Sequence, residues 1–212
     1  MLKFIVKETP TIEGPKIIRP NEFGASREWL TELEPQEVFA EMGLEETFVQ
    51  LTGEKMARGV MRGLYFQRKD SYSRLVGVVA GRALAVVVDL RPESKSFGAA
   101  NSVELSAENE ALLYVPQYFA YGFLTLEPAT EVVCLGSGEI DPESEAGITY
   151  DDEILAIDWQ FERYEIDERR LSMAQMDKKF PSFRSYNQNT LWINRPKKSK
   201  YALSRERVIK IV

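Results

Sequence analysis

Histidine is absent from this 212-residue chain, and cysteine occurs once, as Cys134. Histidine is the side chain that most often exchanges protons near neutral pH, and it is a common ligand of zinc and iron. Its absence excludes the most usual acid–base chemistry, and we predict that the protein uses no metal and no other cofactor. A single cysteine cannot form a disulfide within the chain.

Long apolar runs and an excess of positive charge are lacking as well. The longest apolar run, "ALAVVVDL" at 83–90, is far below the roughly 20 residues of a membrane helix. The first fourteen residues hold no apolar stretch of signal-peptide length. The net charge of −6 disfavours nucleic acid as a partner, because binding its phosphates requires a cationic surface. We therefore expect a cytoplasmic protein that binds neither membranes nor nucleic acid.

The chain is rich in short β-type segments between residues 48 and 137. Residues 74–90 predict two strands around a turn at Gly81, and 101–116 and 120–138 repeat the strand–turn–strand pattern. Both alternations of 83–90 are apolar, which predicts a strand covered on both faces. Many short strands without helical crossovers indicate a mainly β protein, a jelly-roll sandwich with short flanking helices.

We predict a single domain over 1–212, with three parts. Residues 1–47 form an N-terminal extension, 48–160 the jelly-roll core, and 161–212 a C-terminal helix and tail. The helix is predicted from "DERRLSMAQMDKKF" at 167–180, and the basic residues after it are expected to form the tail.

Four blocks that occur in order carry a resemblance to a known family: "RGVMRGLYFQ", "LVGVVAGRALAVVVDLRPESKSFG", "VELSAENEALLYVPQYFAYGF" and "GITYDDEILAIDW". Together they resemble the dTDP-4-dehydrorhamnose 3,5-epimerase family over roughly residues 20–183. The resemblance implies a cupin-like jelly roll, a nucleotide-linked keto sugar as ligand, and a homodimer that exchanges N-terminal strands. It also implies proton removal beside a 4-keto group and reprotonation on the opposite face, which needs a base, an enolate stabiliser and an acid.

The resemblance implies a set of substrate-binding residues. Arg62 matches the arginine before the catalytic motif, and Gln67 closes that motif. Gln50 and Glu28 fit positions that contact the ligand. Arg74 stands where a lysine is usual and keeps the positive charge.

The catalytic positions depart from the family pattern. Tyr65 replaces the base histidine, Tyr121 replaces a second histidine, and Cys134 stands where the acid tyrosine is expected. Asp152, or its neighbour Asp151, fits the aspartate that orients the base. The candidate catalytic residues are therefore Tyr65, Tyr121, Cys134 and Asp152.

Each of these residues also has a structural interpretation. Tyr65 could be a buried aromatic whose hydroxyl meets Asp152 or water, and Tyr121 a hydrogen-bonding pocket wall. Cys134 could be a small core residue. The two arginines could form internal salt bridges, with Asp152 or Glu104 as the partner.

Three functions are consistent with the sequence. The first is a diverged epimerase or isomerase that acts on a nucleotide-linked keto-deoxysugar in carbohydrate biosynthesis. The second is a catalytically inactive protein that binds a sugar nucleotide, and the third is an inactive subunit that supports an active one. We favour the isomerase, because Gln50, Arg62, Asp152 and a cation at Arg74 fit a retained pocket.

Overall fold

The computed structural model describes residues 4–20 and 35–188, which form two antiparallel β-sheets packed face to face. The six-stranded sheet has the order β1-β2-β8-β5-β10-β3, and the five-stranded sheet has the order β11-β4-β9-β6-β7. The strands are β1 (Phe4–Glu8), β2 (Lys16–Pro20), β3 (Gln50–Met56), β4 (Met61–Gln67), β5 (Arg74–Ala80), β6 (Arg82–Asp89), β7 (Ala100–Ser106), β8 (Leu112–Val115), β9 (Phe119–Thr125), β10 (Thr130–Gly136) and β11 (Glu145–Gly147), and the helices are α1 (Pro35–Glu41) and α2 (Phe183–Gln188).

This architecture confirms the predicted mainly β, cupin-like jelly roll. The three predicted strand–turn–strand units are present, but none of them is a hairpin. The turns after β5, β7 and β9 each carry the chain from one sheet to the other. At the first of these turns, Gly81 has a φ of +71°, and an added Cβ would lie 2.6 Å from Thr130 Oγ1. Only glycine fits there.

Strand β6 shows why both of its alternations are apolar. Ala85 and Val87 face the core between the two sheets. Val86 and Val88 face a second apolar cluster on the other side of the five-stranded sheet, which also contains Trp159 from the C-terminal segment. The prediction that this strand is covered on both faces is confirmed.

The helix predicted over 167–180 is not formed. The segment contains two 3₁₀ turns, Glu168–Arg170 and Asp177–Lys179. Between them, Ser172 forms a β-bridge with Val60. The Ser172 carbonyl accepts from Met61 N, and the Ser172 amide donates to Gly59 O, both at 2.9 Å. An α-helix would need these backbone groups for its own hydrogen bonds, so pairing with the start of β4 replaces the local helical preference.

The N-terminal residues 4–20 form strands of this chain's own six-stranded sheet. β1 pairs with β2, and β2 pairs with β8, with Ile17 opposite Leu113. The exchange of these strands with a second copy stays a prediction. Within the ranges 4–20 and 35–188, no helix has the length and apolar character needed to cross a membrane.

Candidate active site

An irregularity in β4 brings two candidate residues to one face of the sheet. Arg62 lies opposite Phe123 and Tyr65 opposite Tyr121, so three residue steps on β4 match two on β9. In a regular strand, residues three apart point to opposite faces. The extra residue lies at Gly63, which has a φ of +92°. Because of this bulge, Arg62 and Tyr65 both face the interior between the sheets.

Tyr65 forms a hydrogen bond with a residue that the sequence did not indicate. Its hydroxyl donates to Asp177 Oδ2 at 2.8 Å, in the second 3₁₀ turn. The expected contact with Asp152 is therefore wrong. Burial and the hydrogen bond to Asp177 together raise the pKa of Tyr65 far above its ordinary value. At neutral pH this phenol keeps its proton and acts as a hydrogen-bond donor.

Asp152 has a different position from the expected one. Its Oδ1 accepts from the amides of Ile154 and Leu155, and its Oδ2 accepts from the amide of Phe183 at 2.7 Å. The carboxylate therefore anchors the start of α2 to the preceding turn. Its assignment as a catalytic residue is supported by no contact in the described structure.

Arg62 pairs with a carboxylate inside the chain, as one interpretation of the sequence expected, but with a different partner. Its guanidinium forms a two-point contact with Glu54 on β3, in which Nε lies 3.2 Å from Oε2. Glu104, one expected partner, instead forms an ion pair with Arg82, in which Glu104 Oε1 lies 3.6 Å from Arg82 Nη1. The Arg62 side chain keeps 21% of its surface exposed, and its charge also acts on Tyr65. A ligand can therefore reach it.

Arg74 is a buried cation of a different kind. It is 6% exposed, and its Cζ lies 4.1 Å from the ring centre of Tyr72 and 5.0 Å from that of Tyr121. Among the described residues, no carboxylate lies within ion-pair distance of its guanidinium. Aromatic faces stabilise a cation but leave its charge uncompensated. Arg74 is therefore available to an anion.

Tyr121 and Cys134 form one group with Arg74. The Tyr121 and Tyr65 ring centres are 6.1 Å apart, and Tyr121 and Cys134 both pack against the core between the two sheets. Burial raises the pKa of Tyr121 far above its ordinary value. It also raises the pKa of the Cys134 thiol, although Arg74 acts in the opposite direction. Both groups hold their protons at neutral pH.

Three binding candidates remain: Gln67, Gln50 and Glu28. Gln67 lies on β4 two residues from Tyr65 and is buried, and its Nε2 has no hydrogen-bond partner within the described parts of the chain. Gln50 and Arg74 both lie opposite Gly136 in the six-stranded sheet, which places them on the same face of that sheet. Glu28 lies outside the described residues.

The structure therefore brings together five of the predicted residues and adds Asp177, whose position no local pattern in the sequence indicates. The five are Arg62, Tyr65, Arg74, Tyr121 and Cys134. Asp177 lies in the segment predicted as a helix, and the bridge between Ser172 and Val60 brings that segment to the start of β4. Across residues 4–20 and 35–188, no three His, Cys, Asp or Glu side chains are grouped so that they could hold a metal ion.

Comparison with known proteins shows the family of the chain. The family profile described as dTDP-4-dehydrorhamnose 3,5-epimerase matches residues 9–185. The enzyme of that name from Salmonella typhimurium is 39% identical over 147 residues, which cover 68% of this chain and 80% of the relative. The Methanothermobacter thermautotrophicus enzyme is 38% identical over 152 residues, 72% of this chain and 82% of the relative.

A solved structure has the same fold. The dTDP-6-deoxy-D-glucose-3,5-epimerase from Legionella pneumophila, in complex with dTDP-4-keto-L-rhamnose, superimposes with a TM-score of 0.76 at 29% identity. The alignment covers 88% of this chain and 96% of that one.

Proposed function

Because the chain belongs to the dTDP-4-dehydrorhamnose 3,5-epimerase family, we propose that it is an isomerase acting on a dTDP-linked 4-keto-deoxysugar in deoxysugar biosynthesis. The reaction would exchange a proton on a carbon beside the ketone. The proton leaves as its bonding electrons move towards the ketone oxygen, and the enolate is then reprotonated on the opposite face.

The observation that carries this proposal is Arg74. Burying a guanidinium without a carboxylate partner costs free energy unless a bound anion compensates its charge. The ligand class fits, because a dTDP sugar offers an anionic diphosphate and, during reaction, an enolate oxygen. Gln67 is buried, and among the described residues its Nε2 has no hydrogen-bond partner, so it can supply a neutral donor. Arg62, held by Glu54 at the partly exposed rim, adds a second cation.

The proton-holding groups of the site fit the second half of the reaction. Tyr121 and Cys134 lie next to Arg74 and keep their protons at neutral pH. A neutral phenol or thiol is a competent donor to an enolate carbon. Either group could return the proton, and a substitution that removes each in turn would separate them.

Deuterium incorporation tests the proposed reaction. We expect the protein in D₂O to introduce deuterium into dTDP-4-keto-L-rhamnose at carbons beside the ketone, observed by proton NMR. Arg74→Met is expected to abolish incorporation. The absence of exchange in the unaltered protein, across a panel of dTDP-linked 4-keto-6-deoxy sugars, would refute the isomerase. Tight dTDP binding in that case would support a sugar-nucleotide-binding protein without catalysis.

We propose that the protein is a homodimer formed through the outer face of its six-stranded sheet. Val49, Leu51 and Val79 are 62%, 68% and 57% exposed on or beside this sheet. Gly53 and Gly77 lie on either side of Val133 in the sheet. They add no side chain to this face. An exposed apolar face of this kind typically marks a protein–protein contact.

The cytoplasmic location stays a prediction, which cell fractionation would test.

A further inference from the structure

The Asp177 carboxylate is only half satisfied in the described structure. It is 1% exposed, and its Oδ2 accepts the Tyr65 hydroxyl at 2.8 Å. Its Oδ1 has no hydrogen-bond partner among the described residues. Leaving a buried acceptor unsatisfied costs about 1–3 kcal/mol, and more if it is charged. An unsatisfied buried group of this kind calls for an explanation, and a catalytic role is one that accounts for it.

Asp177 lies beside the proposed site, because its Oδ2 accepts the hydroxyl of Tyr65. Tyr65 approaches one side of the carboxylate, and the Phe180 ring lies edge-on to Tyr65, with centroids 5.8 Å apart. The charge of Arg62 acts on both Tyr65 and Asp177. The anion is therefore fixed in orientation by one donor and stabilised by one cation. Its Oδ1 has no hydrogen-bond partner among the described residues and can accept a proton.

We infer that Asp177 is the base of the reaction and that Tyr65 is its positioning residue. This assignment rests on the proposed isomerase function. Asp177 Oδ1 takes the proton from the carbon beside the ketone, and the C–H electron pair forms the enolate, whose negative charge lies on the ketone oxygen. A donor on the other face returns a proton to the carbon and the ketone re-forms. Asp177 then releases its proton to solvent, and the donor takes up a proton from solvent. No oxidant or further reactant is needed.

The alternative base is Tyr65, and the structure opposes it. A base must lack its proton, but the Tyr65 hydroxyl uses its proton to bind Asp177. Removing that proton would place a phenolate against a carboxylate oxygen 2.8 Å away, with only Arg62 to offset the repulsion. Among the side chains of the group, Asp177 is the anionic acceptor with an unoccupied oxygen.

The pH dependence of deuterium incorporation separates the two bases without any substitution. With Asp177 as the base, the rate at pH 9 should be within about threefold of the rate at pH 7. With Tyr65 as the base, the phenolate fraction rises tenfold per pH unit below its high pKa, so the rate should rise about 100-fold over the same range. A rise of that size would overturn the assignment.

Matched variants give a second, independent test. Asp177→Asn should slow incorporation by about 10²–10⁴-fold, the usual contribution of a general base, while the Kd for dTDP changes by less than about threefold. Asp158→Asn, the same change at an exposed site, should have no effect. Tyr65→Phe should keep activity within about tenfold and leave the rates at pH 7 and pH 9 similar, because Tyr65 orients the base and does not itself take the proton.

The outcomes distinguish this inference from the proposed function. Exchange that survives in Asp177→Asn would overturn the base assignment and leave the isomerase intact. Loss of exchange in Tyr65→Phe as deep as in Asp177→Asn would also overturn it. If Asp177→Asn does not fold, the pH profile of the unaltered protein decides. No exchange in the unaltered protein would refute the isomerase itself.

Discussion

At the scale of single residues, Arg74 shows a conflict between stability and function. Its charge is buried between the rings of Tyr72 and Tyr121 without a carboxylate in the described structure. Burying a charge costs free energy that the aromatic contacts offset only in part. We therefore attribute the burial of the Arg74 charge to ligand binding rather than to stabilisation of the fold.

We therefore predict opposite effects of Arg74→Met on stability and on binding. The free energy of unfolding should stay equal or increase, because a buried charge is removed and no carboxylate is left unpaired. The Kd for dTDP should rise about 10–100-fold, as expected for the loss of a charged hydrogen bond of about 1.5–3 kcal/mol. Urea unfolding and isothermal titration calorimetry measure the two quantities.

Arg82→Met is the matched control for this prediction. Arg82 pairs with Glu104 and Glu127 at the surface, where ion pairs contribute about 0–1 kcal/mol. It should change neither stability nor dTDP affinity appreciably. A large loss of stability in Arg74→Met, with unchanged binding, would show that Arg74 serves the fold.

Asp89 is a further buried charge, and here the chain itself supplies the donors. Asp89 is fully buried and accepts from Arg91, Ser94 and Ser96. Burial alone would raise the pKa of Asp89, but these hydrogen bonds outweigh it and hold the pKa below its ordinary value. A depressed folded-state pKa contributes stability above the unfolded value of about 4, and this is lost as the pH falls through the folded value.

Asp89→Asn should consequently destabilise the protein by about 3–5 kcal/mol at pH 7, the usual cost of breaking a buried charged network. The difference from the unaltered protein should stay constant from pH 8 to about 5 and shrink below about pH 4. Urea unfolding across this range measures it. An equal difference at pH 7 and pH 3 would contradict the ionisation argument.

At the scale of elements, the β4 bulge decides which residues form the site. Without it, Arg62 and Tyr65 would lie on opposite faces of the sheet. The bulge depends on Gly63, because an added Cβ would lie 2.7 Å from Tyr121 O and 2.9 Å from Gly122 Cα. Those atoms belong to the backbone of β9, which cannot move without breaking its pairing.

Gly63→Ala is expected to destabilise the protein by about 3 kcal/mol or more, since it combines a positive φ with a backbone clash. Gly59→Ala is a matched control: Gly59 has a φ of +79° and nothing within 4 Å of an added Cβ. It should cost only the left-handed strain of about 1–2 kcal/mol. Equal losses measured by thermal unfolding would show that the clash is relieved elsewhere.

At the scale of the whole molecule, the exposed outer face of the six-stranded sheet predicts the assembly state. Leu51→Glu places a charge on this apolar face, where burying it in a dimer would be unfavourable. We expect the unaltered protein to sediment with the mass of two chains and Leu51→Glu with the mass of one. Ile154→Glu, at a residue 52% exposed in the segment after β11, should stay dimeric. A monomeric unaltered protein would refute the proposed interface.

The sequence by itself determined the two-sheet fold, because strand alternation, turn residues and the doubly apolar β6 are local properties of the chain. It also identified Arg62, Tyr65, Arg74, Tyr121 and Cys134 as one group, through the resemblance of short blocks. Their partners were decided only by the tertiary structure. Asp177 lies 112 positions from Tyr65, and Glu54 meets Arg62 across two different sheets.

The physical reason is that hydrogen bonds depend on distance in space, whereas sequence patterns record distance along the chain. The predicted helix over 167–180 failed for the same reason. Its local preference could not show that Ser172 pairs with the start of β4. That pairing brings the segment of Asp177 to β4, where its carboxylate accepts a hydrogen bond from the Tyr65 hydroxyl. The tertiary structure therefore decides which carboxylate is the candidate base.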